Sequence, residues 1–431
     1  MKKLLGLLLI LTLVVSLAAC GTKTNDSTAP VTEPSEDQNT ATTEEIVPEA
    51  GAELVVWESG GAVGEWMQEV AAEFTKKYNV PVTFEEVGHT DAPKKLQTDG
   101  PAGLGADVFA APHDHLGSLI SGGLIIENFW PEEYQAAYMD AAITGTTFDD
   151  VLYGYPTGIE TYALFYNKDL VTKVPETWDE LIATSKEFTN KAENDYGFMM
   201  EVGNFYFVYS LIGGYGGYVF GDNNTNANEL GLNNEGAVQA GKLMQRIHNE
   251  ILPLPVEDIS YDVKQSLFNE GKLLFNLDGP WAVDAHRSAG VNFGIAPLPK
   301  LDNGKNPTSF SGIRALYVNS YTKYPDAASL FAKFASSEEM LLKLFEKSGM
   351  LPPRTTLLNN PTIKNDEISA GFLNQAQYAV PMPNIPQMPS VWGPMGAALS
   401  TIWADNTDPK VALDAAVQQI KDAIASQEAS K

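Results

Sequence analysis

Cysteine is nearly missing: Cys20 stands alone in 431 residues. It has no intramolecular partner, so no disulfide framework holds this chain together, and the body has no cysteine nucleophile. Basic residues are scarce as well. With 28 Lys and Arg against 55 Asp and Glu the formal charge is −27, or −29 without Lys2 and Lys3. That balance argues against nucleic acid or an anionic membrane face as partners. Histidine occurs five times. His113 and His115 would share one face of a strand, yet His89, His248 and His286 are not placed to complete the three or four ligands that a metal needs. No metal and no cofactor is expected. There is no GxSxG motif, no phosphate-binding glycine loop and no internal repeat. DNNTNANE, residues 222–229, opens like a calcium loop but lacks the sixth-position glycine and the acidic twelfth residue, so it reads as a polar turn.

What is present starts at the N-terminus. Lys2 and Lys3 precede an apolar run, residues 4–15, that is too short and too early to span a membrane. Leu17-Ala18-Ala19-Cys20 then resembles the lipobox of bacterial lipoproteins. That resemblance implies a signal peptide over 1–19 and a diacylated N-terminal Cys20 on the outer face of the cell membrane. Residues 20–50, rich in Thr, Ser, Pro and Glu, carry no apolar period and read as a disordered tether. Such a segment reaches on the order of 30 Å.

From about residue 53 the composition is that of a folded protein, and about 380 residues exceed one ordinary core, so two domains are expected. Strands are expected at 52–57, 81–87, 106–111, 162–166 and 272–277, and helices at 65–77, 327–335, 338–347 and 410–426. A further helix begins at Thr177, a predicted N-cap with Glu180 three residues on. Alternation of strand and helix points to an α/β fold with parallel pairing. In such sheets ligands sit beyond the carboxyl ends of strands. This singles out the loops Glu58-Ser59-Gly60-Gly61, Pro112-His113-Asp114-His115 and Gly279-Pro280-Trp281.

MPNIPQMPSVW, residues 382–392, is too apolar for a surface loop, and its prolines recur every third residue. Pro383, Pro386 and Pro389 match the turn of a polyproline II rail, a stiff mount for Trp392. Trp57, Trp178 and Trp403 fall in strand or helix patterns and read as core.

LVVWESGG, GADVFAAPHDHLGSLISGGLI, GYPTGIETYALFYNKDL, PETWDELI, FNLDGPWA and MPNIPQMPSVW follow one another in this order. Together they resemble the maltose/maltodextrin-binding subfamily of extracellular solute-binding proteins of ABC transporters, from about residue 53 to the end. The resemblance implies a hinged, two-lobed periplasmic-binding-protein-like fold (type II), with lobe 1 at 51–158 plus 314–367 and lobe 2 at 159–313 plus 368–431. Crossings would fall near Gly158-Ile159-Glu160 and Ser311-Gly312-Ile313. It implies a monomer that captures an oligosaccharide and hands it to ABC permease subunits. Trp281, Trp392 and Tyr206 would stack on sugar rings, whose C–H faces are apolar, while Asp114 and Glu160 accept from hydroxyls. Ser59, His115 and Asn204 complete the expected ligand-binding set.

Each assignment has a plainer competitor. Trp281, Trp392 and Tyr206 fit a core, Asp114 fits a helix cap, and Glu160 fits a hinge salt bridge. The chain also departs from the subfamily's pattern. Gly61-Ala62 stands for an Asp-Lys pair, Ala111 for Trp, His115 for Arg, Asn204 for Glu, and Gly393 and Gly396 for Tyr and Arg. The apolar platform is kept while charged contacts are lost and room is gained, which points to ligands longer than a disaccharide, linear or cyclic. Other oligosaccharides, such as galacto-oligosaccharides, are the alternative within this class. A glycoside hydrolase using Asp114 and Glu160 is the alternative outside it, and a sensory role would use the same cleft.

Overall fold

The computed structural model describes residues 46–429. The signal peptide, Cys20 and most of the tether lie outside the described residues. In chain order the strands are β1 (Leu54–Glu58), β2 (Val82–Glu86), β3 (Val108–Pro112), β4 (Thr147–Phe148), β5 (Val151–Leu152), β6 (Tyr155–Glu160) and β7 (Ala163–Asn167). They continue with β8 (Tyr196–Met199), β9 (Asn226–Leu230), β10 (Leu273–Asp278), β11 (Phe293–Ala296), β12 (Phe310–Val318) and β13 (Val380–Pro381). One sheet runs β13-β12-β3-β1-β2, with β6 also paired to β12; a second runs β11-β7-β10-β8.

The expected strands and helices are all present, displaced by a few residues at their ends. Parallel pairing is only half the pattern. β1 is parallel to β2 and β3, with helices Gly61–Tyr78 and Ala92–Asp99 as crossovers. β12 runs antiparallel to β3 and β6, and β7 runs antiparallel to β10 and β11. The reason is the connection. Two residues, Thr161 and Tyr162, carry the chain from β6 in one sheet to β7 in the other, and β12 re-enters the first sheet from the far side. Neither passage has a helix to turn the strand parallel. Gly312 pairs with Glu160, and Ile313 with Ile159.

Thr177 caps its helix as its sequence predicts: its hydroxyl accepts from the Glu180 N–H at 3.2 Å. The Glu180 carboxylate returns the bond one residue further out, to the Glu176 N–H at 3.0 Å. Trp57, Trp178 and Trp403 are buried. Only the first half of the 222–229 stretch is a turn, in which Asp222 and Asn223 take left-handed conformations; residues 226–229 belong to β9.

The polyproline rail is not formed. A turn closes through Met388 N–H to Ile385 O at 3.1 Å, and Pro389 opens the helix Pro389–Ala404, placing Trp392 in its first turn. Proline needs no N–H at a first helical position, so the spacing that suits one polyproline edge serves a turn and a helix start instead. The segment is pinned by Asn384, whose amide donates to the carbonyls of Gly145 at 3.4 Å and Thr147 at 3.2 Å. Its carbonyl accepts from the Gly117 N–H at 3.0 Å. A side chain at Gly117 would sit 2.6 Å from the Pro386 nitrogen, so only glycine allows this approach.

His286 carries a pH signature for the second sheet's core. Its ring packs against Phe165, Phe268 and Phe293. Its Nδ1 meets Asn269 Oδ1 at 2.6 Å, and its Nε2 is buried without a partner among the described residues. Burial pushes the imidazole down from 6.5 to about 4, against the pull of Asp278. The folded state thus favours the neutral ring. Its contribution is full above pH 6.5, is lost as pH falls toward 4, and levels off below. A difference of that size corresponds to about 3 kcal/mol. Melting temperatures measured from pH 7 to pH 4 should fall less steeply for His286→Gln than for the wild type; parallel curves would refute this.

Candidate functional site

A cavity of about 790 Å³ opens between residues that follow strands of both sheets. All eight residues singled out for ligand contact line it: Ser59, Asp114, His115, Glu160, Asn204, Tyr206, Trp281 and Trp392. The volume is in the range of small-ligand sites.

The aromatic wall is built in layers. Trp281 follows β10, and its ring lies on the bare backbone of Gly279, where a Cβ would sit 2.2 Å from the indole. Tyr206 and Phe207 back it at centroid distances of 6.3 and 6.4 Å. Trp392 rests edge-on against Phe205 at 5.6 Å and Phe310 at 6.1 Å. Trp281, Tyr206 and Trp392 are each only half-buried, which sets them apart from the core tryptophans. The Tyr206 hydroxyl is buried without a partner among the described residues. Burial, reinforced by Glu160, holds it well above the ordinary phenol range, so it stays a neutral donor.

Asp114 does not cap a helix. It lies inside the short 3-10 turn His113–His115, and its Oδ2 accepts from Trp392 Nε1 at 3.0 Å. His113 lies in the same turn, in the loop expected after the strand. His113 turns inward, its Nδ1 accepting from the Ile313 N–H at 3.0 Å and its Nε2 facing the Met382 carbonyl at 3.0 Å. That bonding requires the neutral ring, and burial holds its pKa down. His115 stays at the cavity, 3.9 Å from Asp114. Among the described residues no group of His, Cys, Asp or Glu is arranged to hold a metal ion.

Glu160 is both a cavity residue and the salt-bridge partner its competitor reading foresaw. Arg314, on β12, donates through Nη1 to Glu160 at 3.3 Å and through Nε to Glu58 at 3.3 Å. Its Nη2 meets Glu58 and the Ser59 hydroxyl, the latter at 3.0 Å. Burial raises the Glu160 pKa, with Arg314 opposing it. The Ser59 hydroxyl also accepts from the His89 N–H at 3.1 Å and lies 3.1 Å from His89 Nδ1. Burial and Arg314 keep His89 neutral. Ser59 can therefore give its proton to Nδ1, which leaves it no hydrogen for a ligand and presents His89 Nε2–H as a donor in its place.

Asn204 caps the helix Phe205–Gly214, accepting from the Tyr206 N–H at 3.1 Å, and so has an architectural duty besides its place at the cavity.

Sequence reasoning missed His89, Glu201, Phe207, Tyr261, Arg314 and Met382, all of which line the cavity. A signal existed for Arg314, one charge inside the otherwise apolar strand FSGIRALYV. None existed for Tyr261 or Met382.

Residues 69–370 match the family model described as bacterial extracellular solute-binding protein. The chain belongs to that family. Its members bind solutes, and the chain is a binding protein rather than an enzyme. Asp114 and Glu160 accordingly hold Trp392 and Arg314 instead of flanking a scissile bond. This solute-binding protein is 34% identical to the galactooligosaccharide-binding protein of Bacillus subtilis, across 100% of this chain and 99% of that one. It is 31% identical to a maltooligosaccharide ABC transporter solute-binding lipoprotein of Streptococcus pneumoniae, over 95% of this chain and 94% of that one. Its fold is similar to the crystal structure of a cyclo/maltodextrin-binding protein complexed with maltotetraose. The TM-score is 0.74 at 38% identity, covering 87% of this chain and 98% of that one. The two-lobed fold and the resemblance to the maltose/maltodextrin-binding subfamily both stand.

Proposed function

We propose that the chain is the capture subunit of an ABC sugar importer and takes maltodextrin-type oligosaccharides, linear or cyclic, of three or more units. The observation that carries this reading is the half-buried row Tyr206, Trp281 and Trp392 facing the cavity, with carboxylates beside it. Flat rings cover the C–H faces of sugars at small entropic cost, and carboxylates accept from their hydroxyls. Aromatic and acidic groups reached from both sheets give a sugar more contacts when the lobes close, so binding favours the closed form by that difference. Lobe 1 is 51–158 plus 314–367 and lobe 2 is 159–313 plus 368–431. The Trp392–Asp114 bond is one contact that spans them. Permease subunits would read the closed spacing. The Streptococcus relative, named a lipoprotein, supports a diacyl anchor on Cys20 and a place on the outer face of the cell membrane.

Calorimetry over maltose, maltotriose to maltoheptaose and cyclodextrins tests this. Affinity should rise by about tenfold or more from maltose to maltotetraose, because each added ring gains a stacking surface. Tight maltose binding with no gain from longer chains would overturn the proposal. Galacto-oligosaccharides are the second reading. The full-length match to a galactooligosaccharide-binding relative favours it, and they belong in the same titration series.

A further inference from the structure

Behind the Trp281 wall lies a buried cation that the capture reading does not use. Lys264 sits on the helix Tyr261–Asn269 with its side chain fully buried. Its ammonium meets the Asp278 carboxylate at 2.5 Å, the Leu277 carbonyl at 3.0 Å and the Asn276 side-chain oxygen at 3.4 Å. Glu201, in the turn after β8, lies 3.5 Å away. Asp278 is saturated, since its other contacts are Gln265 Nε2 at 2.7 Å, Asn276 Nδ2 at 3.4 Å and the Gly279 N–H at 2.9 Å. Glu201 is not. Among the described residues its carboxylate has only this ion pair and an Asn204 amide at 3.4 Å, and it lines the same cavity as Trp281. An ionised carboxylate has about four acceptor sites, so most of its capacity is open to the cavity.

We infer that Glu201 is a sugar-binding residue of the cavity that Trp281 lines, and that Lys264 is the positioning residue that keeps its carboxylate ionised and aimed at the cavity. The inference rests on the oligosaccharide reading of the cavity. Lys264 is too deep to touch a ligand and acts twice over. Through Asp278 and the Gly279 N–H it fixes the backbone that carries Trp281; through its charge it holds Glu201 as an acceptor for hydroxyls of the ring stacked there. Without a cation at that depth, a carboxyl in this setting would take up a proton and turn from acceptor to donor. The charged or titratable groups facing Glu201 are Lys264, Asp278 and Tyr261. Burial raises the Glu201 pKa, Lys264 lowers it, and Asp278 raises it less.

The test is calorimetry on the full chain with maltotetraose and, separately, a galacto-oligosaccharide of equal length, from pH 4.5 to pH 8. Glu201→Gln should weaken binding of the wild type's preferred sugar by about tenfold or more at neutral pH, as loss of a charged hydrogen bond does. It should also remove one acid-side step from the affinity profile. The paired variant Lys264→Met, Asp278→Asn leaves no lone buried charge between these two positions. It should move that step to higher pH, which a purely structural role for Lys264 would not do. Glu201→Gln with wild-type affinity and profile, or a paired variant whose step stays in place, overturns the inference while the capture reading stands. A wild-type chain that binds neither sugar overturns the capture reading, and the inference falls with it.

Discussion

Trp281→Ala should weaken maltotetraose binding by about 100-fold, the largest loss expected from any single residue in the cleft. A tryptophan side chain offers about 150–250 Å² of surface. Trp281 keeps only the smaller part of that exposed above its backing, so roughly 50 Å² is left to meet a sugar face, which loses a similar area of its own, roughly 100 Å² in all. At ~25 cal/mol per Å² that is about 2.5 kcal/mol, close to two decades of affinity. The ring is placed in advance. Gly279 gives it a floor, and Phe207 and Tyr206 brace it, so little entropy is spent in freezing it on binding. The same features separate a binding role from a folding role. Trp281 packs on the edge of the core rather than inside it, so its removal should lower the melting temperature much less than Trp403→Ala, which should lower it steeply without a specific effect on the sugar. Titration of Trp281→Ala with maltotetraose, alongside its thermal melt, decides the matter. A variant that melts early and binds normally would make Trp281 a core residue.

The sequence announced the frame better than the furniture of the cleft. Buried strands such as LVVWE and the Thr177 cap are written in local patterns of apolarity and side-chain reach, so they were legible without any partner. The loops after strand ends pointed to the cavity for the same reason: strand direction is local, and a ligand at strand termini follows from it. What failed were readings in which one local rule had two outcomes. Three prolines at a spacing of three satisfy a polyproline edge, but also a turn followed by a helix start, and Asn384 reaching Gly145 and Thr147 tips the balance. The inward turn of His113 was not legible either, because its partners Ile313 and Met382 come from distant parts of the chain. Lys264 shows a signal that can be used. The helix Tyr261–Asn269 buries positions 264, 265 and 268, so its lysine holds a core position and demands a buried counter-charge. Nothing in the sequence says that the counter-charges are Asp278 and Glu201, since that pairing exists only after folding.

Arg314→Met should be the most destabilising change among the cavity residues, at about 3–5 kcal/mol. Arg314 is 3% exposed and is the cation shared by Glu58 and Glu160, themselves 0% and 7% exposed. Deleting it leaves two carboxylates together at low dielectric without their counter-charge. The pair also joins the end of β1 to the end of β6 across β12, so the loss falls where the chain passes between sheets. Thermal melting at neutral pH should drop on the order of 5–10 °C. Acid should soften the defect. The Glu160 pKa is already raised by burial in the folded state. The folded state therefore favours the protonated form, and the stability it brings is present below the ordinary value of 4.5 and lost as pH rises through the raised one. Without Arg314 that pKa climbs further, so the deficit of Arg314→Met against the wild type should be smallest near pH 4.5 and should grow toward neutrality. Adding Glu58→Gln and Glu160→Gln should restore most of the stability at neutral pH, because the cost lies in unpaired charge rather than in lost volume. On the proposed capture role it should not restore sugar affinity, because the charged acceptor at Glu160 would be gone. A deficit independent of pH, or a triple variant no more stable than Arg314→Met alone, would show that Arg314 acts through packing of its stem.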